Sequence, residues 1–201
     1  MSWNEVMQDN STKEVEFVKT PVGVTTLRLV TSEPKAVWKH WIPQANAGKG
    51  MSVVCGEGCP ICKINDELQK QGLNKKYTSS RAFAMVALVN ENGENKLKVF
   101  EKGKGVFQDL YNLSQSMGAL DDYEINITRT GTKMNDTKYT VLPKMPMTPM
   151  TAEEEKFVKE NMINLDEVYK VLPKDKIEKL LEGGSLIDEE QEEENPQFEV
   201  E

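Results

Sequence analysis

Hydrophobic and polar positions alternate with a period of two over several short stretches, the signature of half-buried strands. Val24 to Thr31 is rich in β-branched residues, with Leu27 and Leu29 on one face and Arg28 on the other. Glu14 to Val18 alternates over five residues. Lys35 to Trp41 alternates again: Val37, Lys39 and Trp41 share one face and Ala36, Trp38 and His40 the other, so one of the two tryptophans should face outward. Arg81 to Val89 reads as a strand buried on both faces. Asn92-Gly93 is a hairpin turn, and Lys96 to Glu101 is the returning strand. Asp122 to Thr128 and Lys138 to Leu142 supply two more strands. The period lengthens to that of a helix over Ile64 to Gln71, which Gly72 ends. It does so again over Gly105 to Met117, where Val106, Phe107, Leu110, Tyr111, Ser114 and Met117 form one stripe and Gly118 is the stop. Thr151 and Glu154 form a capping-box pattern at a third helix, and Lys174 to Leu181 makes a fourth. Short strands with mostly short connections predict a mainly β (α+β) small barrel or sandwich rather than a parallel sheet.

One stretch fits neither period. Residues 43–62 are punctuated by Pro43, Gly48, Gly50, Gly56, Gly58 and Pro60, and they are expected to lack a core of their own. The longest apolar run, Ala82 to Val89, is far short of the ~20 residues a membrane helix needs. Residues 1–10 have neither a basic nor an apolar segment of the secretory kind. Three cysteines do not make a disulfide framework, so a cytoplasmic protein with reduced thiols is expected.

Hydrophobic residues are 38% and charged residues 29% of the 201 positions, and the net charge is −8. That charge is uneven. Residues 182–201 hold nine acids and no base, and taking them away leaves +1 on the rest. Between Lys35 and Lys138, fifteen basic side chains face eleven acidic ones, a balance of +4. A mildly basic body with an acidic tail predicts a polyanionic partner for the body and a solvated tail that recruits proteins.

All three cysteines lie in Cys55-Gly-Glu-Gly-Cys59-Pro-Ile-Cys62, and the only histidine, His40, precedes Cys55 by fourteen intervening residues. H-x14-C-x3-C-x2-C supplies the four N and S ligands of one structural Zn²⁺, and a core-poor loop is where such a staple is needed. Two rivals use the same residues. Cys59-Pro-Ile-Cys62 opens a helix, as in thiol redox proteins, although that leaves Cys55 and His40 idle. Zinc deaminases need a glutamate two residues after the histidine, where this chain has Ile42, and an open coordination position. With His40 committed, no histidine is left for general-base work, so an enzyme is not expected.

Bases and aromatics interleave in the strands and loops, the mixture that single-stranded nucleic acid favours. Lys35, Lys39, Arg81, Lys98, Arg129, Lys133 and Lys138 are the candidate phosphate contacts, and Trp38 or Trp41, Tyr77 and Tyr139 the candidate stacking residues. Phe83 and Phe107 fall in apolar stripes and belong to the core. No phosphate loop of the G-x-x-x-x-G-K-[ST] kind is present.

His40-Trp41, the Cys55–Cys62 motif, the hairpin near 81–101, Ile125 to Thr132 and Thr137 to Val141 together make the chain resemble phage single-stranded-DNA-binding proteins of the T-even type. The resemblance implies an OB-fold over 14–145 with a zinc subdomain at 40–72. Outside that region, residues 1–13 read as a flexible N-terminus, 146–181 as a helical extension and 182–201 as a disordered acidic tail. His40, Cys55, Cys59 and Cys62 would be the zinc ligands. The function implied is sequence-independent binding of single-stranded DNA in phage replication, recombination and repair. Partner proteins would be recruited through the tail, where Phe198 and Val200 follow the acids. The family's basic N-terminal arm has no counterpart, since residues 1–16 set Glu5, Asp9, Glu14 and Glu16 against Lys13. Two other functions fit the same residues: a zinc-ribbon adaptor that binds proteins or RNA, and a redox protein using Cys59 and Cys62.

Overall fold

The computed structural model describes residues 15–46, 48–133 and 135–186. In chain order the elements are β1 (Gly23–Leu29), β2 (Lys35–Ile42), β3 (Met51–Val54), α1 (Pro60–Lys70), β4 (Ser79–Glu91), β5 (Glu94–Lys102), α2 (Lys104–Met117), β6 (Ile125–Thr130), β7 (Lys138–Pro143), α3 (Ala152–Asn161), α4 (Leu165–Val168) and α5 (Lys174–Leu181). They make a mixed α/β structure with a mostly antiparallel, open seven-stranded sheet. Among the described residues the chain divides into two compact units, 15–36 with 83–168 and 37–82 with 169–186. The helices expected as one extension over 146–181 are divided between them: α3 and α4 lie in the first unit and α5 in the second. No helix among the described residues is long and apolar enough to cross a membrane.

The first unit is built on the β4–β5 hairpin, paired from Phe83↔Lys102 to Glu91↔Glu94. Asn92 and Gly93 turn it with φ of 56° and 86°, the double left-handed conformation that a two-residue turn between twisted strands requires. β1 pairs with β4 at Arg28↔Leu88 and with β6 at Val24↔Thr128, and β6 pairs with β7 at Ile127↔Val141. Leu27, Leu29, Met85, Phe100, Ile125 and Ile127 form the core, and α2 closes it with Val106, Phe107 and Leu110. The apolar stripe of α2 is wider than its buried face: Tyr111 and Met117 are 58% and 42% exposed. Tyr111 lies at the far edge of the stripe and Met117 is the last helical residue, where Gly118 at φ 94° stops the helix. The capping box of α3 forms, with the Glu154 N–H donating to Thr151 Oγ1 at 3.2 Å and the Thr151 N–H to Glu154 Oε2 at 2.8 Å.

The alternating stretch at 14–18 makes no strand among its described residues, only a parallel bridge between Phe17 and Val99. A buried cation fastens it. Lys98 Nζ lies 2.6 Å from Glu16 Oε2 and 2.7 Å from Glu91 Oε1. Hydrogen bonds from Lys98 hold both carboxyls below the ordinary value of 4.5 and lift the ammonium above 10.5. Depressed carboxyls contribute above pH 4.5 and lose that contribution as pH falls through their lowered values. The lysine contributes below pH 10.5 and loses its share as pH rises through its raised value. The protection factors of the Val18 and Val99 amides, which bridge to Val99 O and Glu16 O, should therefore be high at neutral pH and fall at acid pH. Lys98→Met should abolish that acid dependence.

The second unit carries a core to which 43–62 contributes, although that stretch builds none by itself. Ala45, Val53, Cys59 and Ile61 from that stretch pack with Ile42 and Tyr77, and α5 adds Ile177 and Leu180. The stretch hides that contribution because β3 is only four residues long and half of its partners arrive more than a hundred residues later. α1 starts at Pro60 rather than Ile64, since proline suits a first helical turn, and Gly72 at φ 74° lets the Leu73 N–H close back on Leu68 O.

Candidate metal centre and nucleic-acid interface

β2 and β3 pair antiparallel with His40 opposite Val53 and Lys39 opposite Val54. The ladder ends where the Cys55 N–H donates to Trp38 O at 2.8 Å, which sets Cys55 diagonally beside His40. Gly58, at φ 69°, turns the chain back into Cys59 at the helix cap and Cys62 in the first turn of α1. The helix is fixed from its far side: buried Asn65 donates to Tyr77 O at 2.9 Å and accepts from the Tyr77 N–H at 3.1 Å. Gly56 meets Val171 so closely that a Cβ would lie 2.7 Å from its methyl carbon.

These constraints bring one ligand atom from each of His40, Cys55, Cys59 and Cys62 within 4.8 Å of one another. His40 Nε2 is 3.2 Å from Cys62 Sγ, and the Cys55 and Cys62 sulfurs are 3.5 Å apart. Zn–S bonds of about 2.3 Å and a Zn–N bond of about 2.0 Å place tetrahedral donors roughly 3.5–3.8 Å apart, so the set is close to what one zinc-sized ion needs. The sulfurs are too far apart for a disulfide, whose S–S bond is about 2.05 Å, and all three cysteines are free.

The electrostatics point the same way. Burial pushes the Cys55 thiol up to about 12, with the neighbouring Cys62 and Cys59 adding to the shift. Burial also raises Cys62, against a hydrogen bond from Cys55. Burial lowers His40 and keeps its ring neutral; the Thr78 backbone opposes that shift, yet nothing reaches hydrogen-bond geometry at the buried Nδ1. The crowded Cys55 and Cys62 thiols resist becoming thiolates until a cation compensates them, and a neutral imidazole aimed inward is a metal ligand rather than a base.

β2 also carries two indoles that reach solvent. Trp38 and Trp41 are 52% and 45% exposed, so both rings reach solvent although the register keeps them on opposite faces of the strand. Val37, His40 and Ile42 are the buried residues of the strand. The Arg81 guanidinium lies over the Trp38 ring, 5.6 Å from its centroid. Trp41 rests on Gly50, where a Cβ would lie 2.2 Å from ring carbon Cζ2. Lys49, Lys75 and Lys76 are exposed in the same unit, and Lys39 lies 5.0 Å from the Tyr169 ring centroid.

Not every candidate contact is available. Tyr77 is 2% exposed and its hydroxyl accepts from Gln44 Nε2 at 2.8 Å, so its ring is core and offers no face to a base. Lys98 is buried between two carboxylates. Lys35 is paired with Asp166. Arg129 is half-buried, donating to Thr20 O and Thr137 Oγ1, and Tyr139 packs on the core beneath Lys102. Lys133 and Lys138 are exposed in the first unit. Phe198 and Val200 lie outside the described residues, as do 1–13 and most of the acidic tail. Sequence reasoning missed Asn65 and Gln44, whose amides carry no periodic signal; Gln44 joins Tyr77 to Leu181 O at the end of α5. No protein-family model matches the chain, and neither does a curated protein or a solved structure.

Proposed function

We propose that the protein is a non-enzymatic, sequence-independent binder of single-stranded DNA whose binding unit is stapled by one structural zinc ion. The observation that carries the reading is the pair of half-exposed indoles on β2, the strand that also carries His40. His40 lies within ligand distance of three sulfurs, and Trp38 and Trp41, on opposite faces of the same strand, are both half exposed, with Arg81 over Trp38. Indole faces stack on any base, and cations on the same unit follow the phosphates without reading sequence. Zinc bound by His40, Cys55, Cys59 and Cys62 would hold the two ends of β2–β3 and the start of α1 together; four protein ligands leave no position for a reacting water. Support for an OB-type barrel in the first unit comes from β1, which has both β4 and β6 as antiparallel neighbours, as a partly open Greek-key barrel requires. Thiol redox chemistry is the weaker reading, because burial raises Cys55 and Cys62 away from the thiolate form such chemistry needs. The acidic tail would recruit replication or recombination proteins.

Titration of the metal-loaded protein with oligo-dT, and with a duplex of equal length, over a series of salt concentrations tests this. Affinity for oligo-dT should exceed that for the duplex and fall linearly on a log–log plot against salt. A preference for the duplex, or for one short sequence over oligo-dT, rejects it.

A further inference from the structure

We infer that the first unit carries a separate docking pocket, built to take one apolar side chain of a partner protein flanked by lysine or arginine. The pocket opens between α2, the loop 31–34 and the turn 119–121, with a volume of about 280 Å³. That falls just below the range of small-molecule sites, about 300–1,000 Å³, and suits a single large side chain. Its floor is Met85, Phe107, Leu110 and Leu120, and exposed Tyr111 and half-buried Ser114 stand on its rim. An apolar floor inside a polar rim is how an anchoring side chain is desolvated at an interface.

Both walls are anchored before any partner arrives. Thr31 Oγ1 accepts from the Val86 N–H at 3.2 Å, which ties the loop to β4. Buried Arg28 donates to Asp121 O at 2.9 Å and to Thr148 O at 2.7 Å, which ties the turn to β1. A pocket already in shape binds without paying the entropy of ordering its walls.

Charge selects the occupant. The two ionisable carboxylates in the lining are Glu33 and Asp121, both exposed, and no lysine or arginine lines the pocket. No ion pair engages either carboxylate among the described residues. Nucleic acid is repelled there, so this is not a second phosphate site. The chain's own Phe198 is also the wrong guest, since Glu192, Glu193, Glu194 and Glu199 flank it. A leucine or aromatic side chain between basic residues matches both the apolar floor and the acidic rim.

The test is chemical-shift mapping on the full chain with three capped heptapeptides. One carries Lys-Phe-Lys at its centre, one Glu-Phe-Glu and one Lys-Ala-Lys. The Lys-Phe-Lys peptide should bind in the low-millimolar range and shift the amides of Ser114, Gln115 and Leu120. The other two should bind at least about tenfold more weakly, as should Lys-Phe-Lys to the paired variant Glu33→Lys with Asp121→Lys, in which exposed attractions become repulsions. Ser114→Trp, which fills the pocket from the rim, should abolish the shifts. Equal binding of Lys-Phe-Lys and Glu-Phe-Glu, shifts centred outside the pocket, no shift at millimolar peptide, or indifference to both variants overturns the inference.

Discussion

Withdrawal of the metal by a chelator should unfold the unit of 37–82 and 169–186 and leave the other unit folded. The donors come from three elements: His40 from β2, Cys55 from the end of β3, and Cys59 and Cys62 from the start of α1. Cys59 is itself part of the core that joins Val53 and Ile61 to Ile177 and Leu180 of α5, so the ligand set and the core fail together. Structural zinc sites bind with apparent free energies of about 10–16 kcal/mol near neutral pH. A whole domain is stable by only about 5–15 kcal/mol, so the loss exceeds what this short-stranded unit holds in reserve. Hydrogen exchange should show the Val53, Ile61 and Asn65 amides losing protection on chelation while those of Leu29 and Ile125, in the other core, keep theirs. His40→Ala should do the same without chelator. Acid should mimic both, because protons compete for thiols that burial already holds high. Unchanged protection at Val53 and Ile61 after chelation would remove the structural role of the metal.

Trp38→Ala and Trp41→Ala should each weaken oligo-dT binding by about 1–3 kcal/mol, roughly 5- to 150-fold, with little change in folding stability. Both rings are about half exposed, so truncation opens little cavity. Tyr77→Ala is the contrasting variant. That ring is core and its hydroxyl holds Gln44, so it should destabilise the unit by about 3–5 kcal/mol, the range of large buried aromatics. Gly50→Ala is the subtler test of Trp41. At φ 77° an alanine is strained, and its methyl would displace the ring, so oligo-dT affinity should fall although no aromatic is removed. A protein in which the tryptophan variants bind normally uses some other surface.

What was legible in the sequence was what neighbouring residues decide. The Asn92-Gly93 hairpin, the Thr151–Glu154 capping box, the helix over Lys174–Leu181 and the Cys/His spacing all stand in the structure, because each is settled within a few residues or by the valence of an ion. What failed depends on partners distant in sequence. Alternation marks Lys98 as a surface base, yet Glu16 and Glu91 close round it. Tyr77 sits between lysines, but Gln44, Asn65 and the second core claim it. Both tryptophans of β2 are half exposed although they occupy opposite faces of the strand. β3 was invisible because four residues carry too little period to rise above their glycines.

The central claim is that β2 and Arg81 present a stacking surface for single-stranded DNA on a metal-stapled unit. The most direct measurement is intrinsic fluorescence in a Trp3→Phe background, which leaves Trp38 and Trp41 as the only indoles. Titration of the metal-loaded protein with oligo-dT should quench that emission to saturation, with each single tryptophan variant retaining part of the quench and a weaker affinity. Oligo-dT that binds without quenching either indole, or does not bind at all, would contradict the claim.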